Sequence, residues 1–583
     1  MSSRETLQIV EIDIDSCSLS YGAGDCPAVL GVDSADKCYN TFATCPTSAT
    51  QDAFVNTDKT LTFSKNQRTG IYGQIVWPAL QSVSTNPTEI TLGAVDDRLG
   101  SLGKRERVTV SFRDFKWGDQ ITDPYVTERA YDTSQGTYFG KLRARFPYYY
   151  GRSLRVKNGY VGDDIASMNT LHYIITEWVG PDADGNVQIT AQDPLKLADE
   201  DLSQCPTPSN GRLDDDIDDI ATTLTLTPAT VGDEYDASGK ASIGSEIVSF
   251  TRSGDVVTLT GRGLDGTEAS SHGADDTFQQ AYVVDGAKVY DVARELLRDF
   301  AGVDTAFIPY ADWVTELDTW LASTVLTRTI PKPIGVAKLL GEIAQFGIIF
   351  WWDKIAQEIK LKANRPVGLT ETITPISDES NILEKTITSE DLHDQRLSQV
   401  WFYHGVIDYS KSTTNSENYK NLYVAADLQA ESANEYDQTR IKEIYQPWLG
   451  NDGIRSVASA VSQRLKNRYR DTPQRISFHA DIKDRAALEV AELIEATTRV
   501  VQDVTGASSP TQMQVTKTKE IDPGHIVEVT AETYQFRGRF GFITENGRPD
   551  YDASSVAQKI NGAYIVDEAT LEFGDGTGPY VIF

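Results

Sequence analysis

Four of the five cysteines in this 583-residue chain fall between residues 17 and 45. They are Cys17, Cys26, Cys38 and Cys45, separated by eight, eleven and six residues. Random scatter rarely puts four thiols in so short a stretch, so they must be bridged, buried singly or gathered round a metal. Disulfides suit a loop-rich segment. A chain this long has core enough without them, and a reducing cytosol keeps thiols unlinked. Single burial conflicts with the polar neighbours Ser16, Ser18, Asp25, Lys37, Asn40 and Thr44. A four-thiolate metal site accounts best for the clustering.

Zinc and iron–sulfur clusters both accept four thiolates. Structural zinc usually sits on knuckles of two to four intervening residues, and none occurs here. The first histidine is His172, so a mixed Cys/His site is not expected. Wide gaps suit a body larger than one ion. Pro27 and Pro46 follow Cys26 and Cys45, and a Cys-Pro also closes the bacterial ferredoxin motif. Gly22 and Gly24 would let backbone N–H groups approach the sulfurs. These residues leave iron–sulfur and zinc both open. Cys205 stands apart in a polar stretch and reads as a loop residue.

Acidic residues outnumber basic ones 85 to 54, a net charge of −31. Specific nucleic-acid binding needs a basic footprint, whereas an acidic channel wall would let DNA pass without sticking. One stretch mixes cations and aromatics, from Lys141, Arg143 and Arg145 through Tyr148 and Tyr150 to Arg152, Arg155 and Lys157. It could hold single strands, but reads better as a barrel strand pair whose outward cations meet acidic neighbours. The longest apolar run, Ile348–Trp352, is far short of a spanning helix of about 20 residues. The polar start of the chain has no signal-peptide core, so folding in a cytosol without membrane insertion is expected. Gly-x-Ser-x-Gly, His-Glu-x-x-His and the phosphate-cradling glycine loop are absent. No catalytic residue is nominated, and the chain is not expected to be an enzyme.

Strand-period alternation dominates residues 51–203, as in Val108–Phe112 and Tyr173–Trp178, and predicts an antiparallel barrel. Pro181–Asn186 carries a hairpin-turn signal. Residues 204–220 read as a polar linker, and the aspartates at 214–219 as a solvated loop lacking the Gly and Glu of a calcium hand. A small β unit ends near 283. Its Gly261, Gly263 and Gly266 match a dinucleotide fingerprint but precede no helical pattern, so they read as a turn. Its motif Ile243-Gly244, Glu246-Ile247, Arg262-Gly263, Gly266-Thr267, Ala269 and His272 resembles an insert carried by many phage tail proteins, and the resemblance implies a peripheral decoration or a glycan contact. Helical periodicity appears from 285 to Gly302, at 334–346 and from Ile454 to Tyr469, with a hairpin over Ile348–Trp352 and Glu358–Lys362. Strands return after 473, and the apolar end Tyr580–Phe583 predicts packing against the chain or a neighbour.

The pattern Cys17, Tyr21-Gly22, Cys26-Pro27-Ala28, Lys37-Cys38-Tyr39-Asn40-Thr41 and Thr44-Cys45 resembles the start of tail-tip (baseplate) hub proteins. These belong to long-tailed, non-contractile (siphophage-type) phages and gene transfer agents. Asp58–Phe63, Ile174–Trp178, Val187–Pro194, Pro333–Leu340 and Phe350–Asp353 extend the resemblance. It implies a [4Fe-4S] cluster on Cys17, Cys26, Cys38 and Cys45, with zinc as the alternative. In the lambda-type tail-tip protein the cluster domain follows the hub domains, whereas here the cysteines come first.

The resemblance also implies a homotrimeric ring round the DNA channel that serves DNA ejection. The ring would meet the distal tail protein, the tape-measure protein, and a central fibre or other tail-tip proteins. It would lie at the virion tail tip after assembly in the host cytoplasm. The expected fold is α+β and β-rich: a multi-domain hub with antiparallel β-barrel domains, a small inserted β domain and a few amphipathic helices. Its divisions are a cysteine-rich metal-binding segment (1–50), a β-barrel hub domain (51–203), the insert (204–283), an α+β hub domain (284–370) and a C-terminal α+β/β-barrel hub domain (371–583). The rival readings are a cytosolic iron–sulfur or zinc enzyme and a glycan-binding tail fibre or depolymerase.

Overall fold

Thr6–Cys17 (β1) carries apolar residues on both faces. Val10, Ile12 and Ile14 enter the core of a barrel, while Leu7 and Ile9 pack under Ile165 and Met168 on the outside. In this computed structural model residues 5–536 are described, except 30–37, 46–53, 66–74, 91–101, 120–122, 124, 130–133, 200–202, 323, 368–370, 451–454, 482–487 and 523–524. The apolar terminus Tyr580–Phe583 lies outside the described residues.

The following strands are Asn56–Ser64 (β2), Val76–Trp77 (β3), Leu80–Asn86 (β4), Thr88–Glu89 (β5), Arg107–Arg113 (β6), Ser153–Tyr160 (β7), Asn169–Val179 (β8) and Asn186–Gln192 (β9). All of these but β5 join β1 in one eight-stranded sheet, in the order β3-β2-β1-β7-β8-β9-β6-β4. Every pairing but β2–β3 is antiparallel. The sheet curls into a nearly closed barrel, as the alternation predicts. Alternate residues point inward: Val108, Val110 and Phe112 of β6 have no exposed surface, and neither does Ile189 of β9. Helix α1 (Tyr138–Arg145) joins the same core, its Phe139 ring stacked 5.6 Å from Phe63. The Pro181–Asn186 turn forms as expected, with Asp182 Oδ1 accepting the N–H groups of Asp184 and Asn186 at 2.9 and 2.8 Å.

Three expectations need correction. The basic stretch is not a strand pair: its first part is α1, and β7 begins only at Ser153. The 1–50 segment does not stand apart, because β1 lies between β2 and β7 in the barrel. Cys205 is not a loop residue. It has no exposed surface, pairs with Ile334 in a two-stranded sheet and enters the large central core.

That core gathers the strands Tyr282–Lys288 and Val325–Ile330, the helices Val289–Glu295, Tyr310–Trp320 and Val336–Ala344, and the hairpin Ile348–Asp353/Glu358–Ala363. The first helix continues as one π turn, Leu296–Phe300, and Gly302 ends it at φ +69°, the left-handed conformation glycine adopts without strain. A three-stranded sheet (Gln399–Val406, Tyr419–Ala426, Ile441–Gln446) and the helix Arg455–Tyr469 complete this region. The six strands between Arg212 and Gln280 have a core of their own. A last six-stranded sheet, from Thr374 to Thr533, accepts β5 as a neighbour of its strand Thr511–Asp522.

Candidate metal centre

The cysteine loop is an excursion between two paired strands. Cys17 is the last residue of β1, and its partner across the ladder is Asn56, the first of β2. Residues 18–55 therefore leave and re-enter the barrel at one point. The Cys17 N–H donates to the Asn40 carbonyl at 2.6 Å, and the Ser18 N–H to that of Val55 at 3.0 Å.

Within the loop each cysteine sits at a local backbone device. Cys26 closes a turn, its N–H on the Ala23 carbonyl at 3.3 Å, after Gly22 and Gly24 at φ +68° and +60°. Cys45 follows a single 3-10 turn, Phe42–Thr44, and its N–H reaches the Phe42 carbonyl at 3.2 Å. Asp15 Oδ2 accepts the Phe42 N–H at the start of that turn, at 2.8 Å. Cys38 precedes Asn40, a non-glycine residue at φ +58°. Its thiol donates to Asn40 Oδ1 at 3.6 Å. Tyr21, Ala28 and Cys38 form a three-residue core, with Cys26 and Tyr125 against it.

The protein beyond the loop grips it from one side. Buried Arg129 is held by Asp123 at 2.8 and 3.0 Å and donates to the Cys38 carbonyl at 2.6 Å. Arg129 and Arg145 both stack on Tyr39, at 4.1 and 3.6 Å from its ring centre. The Tyr125 hydroxyl accepts the Tyr21 N–H at 2.5 Å. None of these supports was visible from sequence spacing, since each joins the loop to residues about a hundred positions away.

All four predicted ligands, Cys17, Cys26, Cys38 and Cys45, line one small cavity together with Asn40 and Thr41. None of the five cysteines is in a disulfide. Burial pushes the Cys38 thiol up; the Asn40 bond lowers it, Cys45 and Cys26 raise it further, and Arg129 pulls it down. A buried thiolate there needs a cation, which a bound metal supplies. The donor set suits a four-thiolate centre. The cavity is small, about 20 Å³, or roughly the room of one water-sized body. Among the described residues no group of three or more His, Cys, Asp or Glu could hold a metal ion as placed. The thiols are thus gathered without converging.

Two other sequence features resolve into structure. In the Arg212–Gln280 unit, Glu246 accepts from Arg262 at 2.7 and 2.8 Å, from His272 Nε2 at 2.8 Å, and from the N–H groups of Gly263 and Ser270 at 3.1 Å. The motif residues Glu246, Arg262, Gly263 and His272 hold their own fold together. The unit is also tied to the rest of the chain, through Lys240 on the Thr329 hydroxyl and through the Ser242 hydroxyl on the Pro331 carbonyl. No helix follows Gly266. In the basic stretch, Lys141 and Arg145 pair with Asp119, Arg155 with Glu11 and Asp13, and Lys157 with Glu11.

No family model matches the chain, and no curated protein does. Among solved structures the chain is similar to the 43 kDa tail protein of prophage MuSo2 from Shewanella oneidensis: 10% identity, 78% of this chain and 95% of that one, TM-score 0.36. A tail protein from Neisseria meningitidis MC58 gives 10% identity over 77% and 96%, at 0.35. The prophage tail protein gp18 of Listeria monocytogenes EGD-e gives 10% over 78% and 87%, at 0.31.

Proposed function

We propose that this chain is a structural baseplate hub subunit at the tail tip of a long-tailed phage, built round a [4Fe-4S] cluster held by Cys17, Cys26, Cys38 and Cys45. The observation that carries the reading is the meeting of those four cysteines, the residues of the hub-like motif, round one cavity on one loop. The β-rich fold with its near-closed barrel is the class the resemblance implies. The work is mechanical. Three copies would form a ring round the DNA channel, continue the tail tube below the distal tail protein, meet the tape-measure protein and carry a central fibre. The cluster would staple a loop whose own core, among the described residues, is Tyr21, Ala28 and Cys38, and metal binding would contribute directly to its folding. The cavity volume gives zinc, a single ion, a second standing. Electron microscopy of virions with the chain labelled tests the reading. It predicts label at the tail tip in threefold-symmetric density; label on the capsid or absence from virions contradicts it.

A further inference from the structure

We propose that the mouth of the N-terminal barrel holds a second site, one that takes a guanidinium group. A cavity of about 500 Å³ lies between β1, β2, α1 and the cysteine loop, distinct from the thiol cavity though it shares Asn40 and Thr41 with it. That volume is in the usual range for small-ligand sites. Trp77, Trp117, Tyr125 and Tyr138 line it. The Trp77 ring lies 4.8 Å from those of both Trp117 and Tyr138, so the wall is a continuous aromatic surface.

The lining carboxylates divide sharply. Asp119 is matched by Lys141 and Arg145, Asp123 by Arg129, and Glu11 by Arg155 and Lys157. Asp15 has no ion pair among the described residues. It is 2% exposed, its Oδ2 takes the Phe42 N–H, and its Oδ1 meets no donor. A buried carboxylate oxygen without a donor is unfavourable. A planar cation would answer both features, bonding Asp15 edge-on and stacking on the aromatic wall. The group could belong to a free small cation or to an arginine of a protein partner.

The test uses the full-length protein and its tryptophan fluorescence, titrated with N-ethylguanidinium, with the neutral isostere N-ethylurea, and with a capped tripeptide carrying a central arginine. The account predicts saturable quenching by N-ethylguanidinium or the peptide and none by the urea. Binding by the peptide alone assigns the group to a protein partner; equal binding by both assigns it to a free cation. Asp15→Asn keeps an acceptor for the Phe42 N–H, so it should not lower the thermal midpoint, while weakening binding about tenfold or more. Trp117→Phe should remove most of the signal. Equal binding of the urea, no saturation with either cation, or unchanged affinity in a folded Asp15→Asn protein would overturn the proposal.

Discussion

Glu246 has no exposed surface and receives hydrogen bonds from four residues. Despite burial, the bonds from Arg262 and His272 and from the Ser270 and Gly263 amides bring its carboxyl down to about 2 from 4.5. A lowered carboxylate adds stability that is complete above about pH 4.5 and lost as pH falls through about 2. Glu246→Ala leaves half-buried Arg262 without its acid, and should cost about 2–3 kcal/mol at neutral pH by chemical denaturation. Asp193 is the opposite case. It is 3% exposed and its Oδ1 has no partner. Burial raises its carboxyl to about 6 against the pull of Arg105, with Glu106 and Asp199 adding to the rise. Its contribution is complete below about pH 3.8 and lost as pH rises through about 6. Asp193→Asn should therefore raise the thermal midpoint at pH 7–8 and leave it nearly unchanged near pH 4. A midpoint that falls at both values would contradict this. Glu246 stood out in the sequence as part of a motif, though not as its hub, whereas Asp193 was one acid among 85.

Elements were legible where one short segment makes its own pattern. The helix Val336–Ala344 and the hairpin Ile348–Asp353/Glu358–Ala363 follow the periodicity closely. The pattern failed where burial depends on distant partners. Cys205 looks polar beside its neighbours, yet Ile334 and the central core cover it. The cysteine loop was legible in its ligands and illegible in its supports, because Arg129 meets the Cys38 carbonyl across 91 positions. The joint between the barrel and the hairpin is of the same long-range kind. Lys354 bonds buried Glu106 at 2.6 Å, and the Tyr173 and Thr88 hydroxyls donate to the same carboxylate. Lys354→Met should cost about 3–5 kcal/mol in urea unfolding, because buried Glu106 is left without its cation. The double variant with Glu106→Gln should recover part of that loss, and full additivity would show that the two do not act as a pair.

At the scale of the whole molecule, the β-rich class and the barrel followed from alternation, while the joining of distant parts did not. β5 leaves the barrel segment to pair with Thr511–Asp522 near the other end of the described chain, a contact no local signal predicts. The Arg212–Gln280 unit, read as a decoration, is pinned to the strand Val325–Ile330 and the Pro331 carbonyl after it by Lys240 and Ser242. In the proposed hub role such cross-ties would pass force on one part to the others. The central claim concerns the thiol centre, and anaerobic purification of the full-length chain with iron, acid-labile sulfide and zinc quantified tests it most directly. The account predicts about four irons and four sulfides per chain, with visible cluster absorbance, all lost in Cys17→Ser, Cys26→Ser, Cys38→Ser and Cys45→Ser. Stoichiometric zinc would contradict the iron–sulfur assignment, and a metal-free chain with two disulfides would contradict the thiolate centre itself.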